Sequence, residues 1–381
     1  MNRNAHAYFS QTQHGESRLW SWLIAFWFVL VGWTVTQQLI VDPVPEIIRG
    51  QAPELYQSFM DKHSEIIENA GPEQTGAIVG GLMLSGLVTS VLCIMCLAFG
   101  GARRIIGPLA LITGLTSLYF MHRIMTLPGS AEANELFLDM MGVSPAAYML
   151  MLLTFPATLT GVYLVQKFIH KRTLISLHTA AGRIDWMRIL FAVAVTWTVY
   201  AVVMGALHFT GTSPLQNTFD PARFFTYALV TLLFIPLQSG TEEVIFRGYL
   251  NQGFGHFIPG RWTVFVITSA AFASLHLANP ESVAGAREGG FMHLAVMSSY
   301  FMFGFLLSVL VYYEGGLEAA IGVHAANNMF AALFVNYEGS VLPTPSVFLA
   351  VSNPPVDLPV MVLSLGVVVF ILYKTRKPIP G

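Results

Sequence analysis

Charge is what this sequence has least of. Asp, Glu, Lys and Arg make up 10% of its 381 residues, against roughly 25% in soluble domains. That scarcity excludes an ordinary soluble fold. The net formal charge of -2 gives no electrostatic case for a nucleic-acid partner. Cysteine is nearly absent. Cys93 and Cys96 make a C-x-x-C inside an apolar run, where a redox or metal role lacks the polar, accessible setting it needs. They read as small hydrophobic residues of a helix. No internal repeat or low-complexity stretch stands out, which argues against a transporter built from two matched halves. Residues 1–18 are polar, and no small-residue cleavage site ends the first apolar run, so a cleaved signal peptide is not expected.

What the chain does have is hydrophobic sequence, 54% of it. A bilayer span needs about 20 mostly apolar residues. Ten stretches qualify as candidates: 20–41, 76–99, 105–121, 146–166, 188–208, 224–250, 262–278, 291–313, 317–337 and 358–373. The fold class expected is an all-α polytopic membrane protein of about ten transmembrane helices. With the N-terminus inside, 14 of the 19 Lys and Arg residues fall in inside segments. This asymmetry predicts cytoplasmic termini and an even number of crossings. Residues 42–75 are acidic and predict a solvated outer cap with one short amphipathic helix. Residues 171–187 are basic and predict a cytoplasmic linker. The domains expected are therefore a four-span bundle at 1–170, the linker, a helical core at 188–340, and a last span with a basic tail at 341–381.

Three polar motifs break the apolar sequence, all within that core. They are Glu242-Glu243-x-x-x-Arg247, Phe272-x-x-x-His276 and His324-x-x-x-Asn328. A charge inside a span costs at least about 2.5–3.5 kcal/mol on insertion scales, so chemistry is the default hypothesis for it. Residues four apart share a helix face. Glu243 can pair with Arg247, which lowers the cost of both, and Glu242 sits about 100° round the helix, free to act as a base. Peptide hydrolysis needs a deprotonated water and donors for the oxyanion. The assignment is Glu242 with His276 on the water, His324 and Asn328 on the oxyanion, and Glu243 with Arg247 as the orienting pair. Asn327, three residues after His324, is a weaker candidate for the oxyanion role. The division between Glu242 and Glu243 stays open. Zinc is a competing reading, since two histidines and a glutamate are suitable ligands, but there is no H-E-x-x-H. The helix edges also leave a mismatch. Glu242 sits about 12 Å from the cytoplasmic end of span 224–250, whereas His276 lies about 21 Å into span 262–278. Either those edges are wrong, or residues 251–262 turn back inside the membrane.

These motifs resemble the CPBP family of intramembrane proteases, which contains the CAAX prenyl endopeptidases and bacterial Abi-type proteins. The resemblance covers about residues 185–340, and its three motifs are intact and in order. It implies an all-helical core, a buried site open to the cytoplasm, and cleavage by a glutamate-activated water, with metal dependence left unsettled. The function expected is an intramembrane endopeptidase acting on a membrane-associated or lipid-modified protein or peptide. The alternative is a non-proteolytic scaffold or immunity protein that keeps the fold. Short loops and the lack of a targeting segment suggest a bacterial inner membrane.

Overall fold

The computed structural model describes residues 3–98 and 103–376. Contacts divide the chain into two units, Met1–Gly15 with Arg172–Gly381, and Glu16–Lys171. The polar start, expected to belong with the first spans, packs instead with the C-terminal unit. It forms α1 (Arg3–Phe9) and one 3-10 turn. Tyr8 is fully buried and donates to the Leu177 carbonyl at 2.6 Å. The Asn4 amide donates to the carbonyls of Tyr313 and Glu314.

The unit Glu16–Lys171 comprises α2 (Leu19–Val41), α3 (Val44–Gln51), α4 (Pro53–Ala70), α5 (Pro72–Ala98), α6 (Arg103–Met125), α7 (Ser130–Val143) and α8 (Pro145–Leu164), the last extended by a π turn to Ile169. Two hydroxyl pairs join α5 to α6: Thr89 with Thr113 at 2.6 Å, and Ser117 with Ser85 at 2.7 Å. Such polar contacts hold helices together where lipid leaves no hydrophobic driving force. Gly107 and Gly114 on α6 lie under the Trp20 and Trp27 rings of α2. On α5, Gly81 lies under the Phe120 ring, whereas Gly76 and Gly80 face open space. The acidic stretch 42–75 holds two helices, α3 and α4, rather than one short helix in a loop. Ile48 and Ile66 are its buried apolar anchors. Cys93 is buried and free; the Cys96 side chain lies outside the described residues.

The other unit continues with α9 (Ile175–His178), α10 (Trp186–Phe209), β1 (Leu215–Asn217), α11 (Pro221–Glu243), a π-helix (Val244–Leu250) and α12 (Asn251–Phe257). It ends with α13 (Arg261–Ser274), α14 (Pro280–Glu288), α15 (Gly290–Glu314), α16 (Glu318–Leu333), β2 (Val335–Tyr337), β3 (Phe348–Ala350) and α17 (Pro354–Thr375). The strands form a small sheet in the order β1-β3-β2, with β3 antiparallel to β1 and parallel to β2. One buried arginine ties three helix ends together. Arg188 of α10 binds Glu314 of α15 through two nitrogens, at 2.7 and 3.1 Å, and donates to the Leu372 carbonyl of α17 at 2.6 Å. Helices α10 and α16 cross closely at Gly322, where a Cβ would strike the Ile189 carbonyl and the Ala192 methyl.

Seven helices among the described residues are long and apolar enough to cross a bilayer, and each coincides with one of the ten expected spans. The stretch Leu19–Leu30 of α2 is apolar but shorter than these. The expected spans 262–278 and 317–337 correspond to α13 and α16, of 14 and 16 residues. At about 1.5 Å per residue they reach roughly 21 and 24 Å, short of a core about 30 Å thick. Beyond Ser274 the chain continues as turn, and beyond Phe334 as strand. The depth mismatch also resolves. The glutamate helix does not stop at 250 but runs unbroken over Pro221–Phe257. Glu242 is then 15 residues from its end, and His276 is 15 residues past Arg261. Both sit about 22 Å along their segments.

Candidate active site

The two glutamates end α11, and the arginine lies in the π-helix that follows. A π segment inside an α-helix is rare and concentrates at functional sites. Glu243 and Arg247 do meet: Arg247 Nη1 donates to Glu243 Oε1 at 2.8 Å, and the side chains are 0% and 1% exposed. Their second atoms, Glu243 Oε2 and Arg247 Nη2, have no hydrogen-bond partner among the described residues. Glu242 stands apart from this pair and keeps 12% of its side chain exposed.

His324 comes from the middle of α16 and sits between the two acids. Its Nδ1 is 2.7 Å from Glu243 Oε1, and its Nε2 is 3.4 Å from Glu242 Oε2. Both nitrogens thus face carboxylates. His276 lies in the turn after α13. Its Nδ1 is 2.9 Å from the Phe272 carbonyl. A carbonyl only accepts, so Nδ1 carries the hydrogen and Nε2 presents its lone pair. The ring stacks on Tyr300 at 4.0 Å between centroids. Among the described residues His276 makes no direct hydrogen bond to Glu242; it lies within electrostatic reach of His324 and Arg247.

Phe272 is the hub of this arrangement. Its ring is 1% exposed and lies 4.7 Å from His276, 5.9 Å from His324 and 4.4 Å from the Arg247 guanidinium carbon. A guanidinium over a desolvated aromatic face is worth about 2 kcal/mol. Phe272→Leu keeps the site apolar but removes that face. It is expected to destabilise the protein by about 2 kcal/mol, read as a lower Tm of the purified chain. An unchanged Tm would show that the ring does not hold Arg247.

Asn328 lies one helical turn beyond His324. Its amide nitrogen donates to Gln238 Oε1 at 3.1 Å and Ser239 Oγ at 3.3 Å. Gln238 Nε2 in turn donates to Glu242 Oε1 at 2.7 Å. Gln238 was not singled out in the sequence, although it stands four residues before Glu242 on the same helix face. Tyr300, which stacks on His276, leads to a further half-buried acid, Glu281 of α14, which accepts from Tyr300 and Asn279. Burial pushes its carboxyl above the usual range.

The donor set does not suit zinc. Among the described residues no three His, Cys, Asp or Glu side chains are placed to hold a metal ion. The one histidine near both glutamates already has a carboxylate at each nitrogen.

Residues 221–330 match the family model described as type II CAAX prenyl endopeptidase Rce1-like, a range that contains all seven motif residues. A Bacillus subtilis (strain 168) protein described as the uncharacterized protein YyaK is 32% identical over 197 residues, 51% of this chain and 64% of that protein. The match therefore spans a little under two thirds of that relative's length. No solved structure matches. Long apolar helices, and a matched range that contains the three polar motifs, lead to one conclusion: the chain is a multi-pass membrane protein whose residues 221–330 are similar to the type II CAAX prenyl endopeptidase Rce1-like family.

Proposed function

We propose that the protein is an intramembrane endopeptidase that hydrolyses a peptide bond in a membrane-associated or lipid-modified protein or peptide. The observation that carries this reading is the inequality of the two glutamates. Glu243 is sealed and bound to Arg247, whereas Glu242 is partly exposed, with one oxygen held by Gln238 and the other facing His324. Glu242 is the base. A water between it and the His276 Nε2 loses a proton to Glu242 as its oxygen attacks the carbonyl carbon. The tetrahedral intermediate collapses, the C–N bond breaks, and Glu242 returns the proton to the leaving amine. Asn328 supplies a donor for the oxyanion by releasing the longer of its two bonds, that to Ser239. His324 takes a part other than its expected one: it bridges the acids and stabilises Glu242 as its charge changes. Scarce charge and a buried site favour substrates that arrive through the bilayer, and the matched family points to a lipid-modified end. The basic residues gathered near the Arg188 end of the unit favour a cytoplasmic side for that end, and a bacterial inner membrane suits the chain.

The test is a comparison of membranes holding equal amounts of wild type and Glu242→Ala. New peptide termini are mapped among membrane and small secreted proteins. Termini expected only with the wild type define the cleavage and its substrate class. Identical profiles, with any cellular phenotype surviving the substitution, would leave a scaffold or immunity protein as the better reading.

A further inference from the structure

Four hydrogen bonds run head to tail across three helices and end on Glu242. The Tyr200 hydroxyl of α10 donates to Asn327 Oδ1 at 3.0 Å. Asn327 Nδ2 donates to Asn328 Oδ1 at 3.0 Å. Asn328 Nδ2 donates to Gln238 Oε1 at 3.1 Å, and Gln238 Nε2 to Glu242 Oε1 at 2.7 Å. Every carboxamide in the series accepts at its oxygen and donates at its nitrogen. Gln238 is nearly buried, at 8% exposure, and the other three residues are half-buried. The hydroxyl at one end has a proton to give, and the carboxylate at the other end accepts.

We propose that Tyr200, Asn327, Asn328 and Gln238 form one directional chain that settles which oxygen of Glu242 takes the proton from water. The inference rests on the protease reading above. A proton on Glu242 Oε1 would face the Gln238 donor. Gln238 would have to turn its amide over, then Asn328, then Asn327, and Tyr200 would have to accept. Each reversal trades satisfied bonds for strained or missing ones in a buried setting. The chain therefore keeps Oε1 as a fixed acceptor. Oε2, on the His324 side at 3.4 Å, is left as the proton-handling oxygen. Gln238, Asn327 and Tyr200 are positioning residues that act through Glu242.

Coupling between distant links is what separates this from simple packing. Tyr200→Phe removes only the terminal hydroxyl and keeps the ring against Phe330, 5.6 Å away. Gln238→Met removes the link next to the base. The full chain in nanodiscs would be assayed on a quenched peptide that carries the sequence around a terminus released only by the wild type. Tyr200→Phe is expected to lower kcat about three- to tenfold, and Gln238→Met about ten- to a hundredfold, each with KM within about twofold. The double variant is expected to match Gln238→Met within about twofold, because a hydroxyl beyond a broken link no longer reaches Glu242. Losses that multiply, or losses in KM alone, overturn the proposal while leaving the protease reading intact. If Gln238→Met does not reach the membrane, Tyr200→Phe decides alone, and an unchanged kcat overturns the proposal. Absence of any terminus specific to the wild type removes the protease reading, and the proposal with it.

Discussion

Glu242→Gln is expected to slow cleavage by about 10²- to 10⁴-fold, the range set by loss of a general base, with the protein folded and at its normal level in the membrane. The substitution is nearly isosteric. Its amide oxygen can still accept from Gln238 Nε2, which lies 2.7 Å from Glu242 Oε1. Its amide nitrogen falls where Oε2 now faces His324 Nε2 at 3.4 Å, and it can donate there. Only the capacity to take a proton disappears. The measurement is the rate at which a terminus specific to the wild type forms, normalised to membrane protein. Retention of more than about a tenth of the wild-type rate would be too much for a missing base and would return the role to Glu243.

Arg247→Met should instead break the fold around the site, at a cost of about 3–5 kcal/mol. Glu243 is 0% exposed, so removal of the guanidinium strands a carboxylate that no solvent reaches. The guanidinium also covers the Phe272 ring. The double variant Glu243→Gln/Arg247→Met is expected to recover stability relative to Arg247→Met, because loss of both charges removes the desolvation cost along with the attraction. Thermal unfolding of the two purified variants reads the difference directly. An Arg247→Met protein as stable as wild type would mean that the pair is incidental. The already unpartnered Glu243 Oε2 and Arg247 Nη2 leave little slack for such a loss.

How much of this could be read from the residues alone follows the range of the interaction. Glu243 and Arg247 are four apart on one helix, so their pairing was legible, and so was the shared face of Phe272 and His276. His324 between the two acids was not legible, because α16 meets α11 only in the folded unit. Gln238 gave a signal at the right spacing, but a lone amide in an apolar helix usually means packing. The lengths of α13 and α16 were hidden for another reason. Hydropathy continues through Phe334 and Val335, where helix gives way to strand, so it could not mark the end of α16. The Asn279-Pro280 step was the better clue for α13, since proline opens a new helix and disfavours helix in the residue before it. The membership of α1 depended on partners more than 160 residues away and left no local trace.

That last separation has a consequence in time. Synthesis at about 5–20 residues per second brings Leu177 out roughly 8–34 s after Tyr8, whose hydroxyl it will accept. Tyr313 and Glu314, the partners of Asn4, emerge later still. Meanwhile the whole unit Glu16–Lys171 has been made and can insert. Helix α1 is therefore made well before its partners and waits for them, and the unit bearing the glutamates closes around it only once Leu177, Tyr313 and Glu314 have emerged.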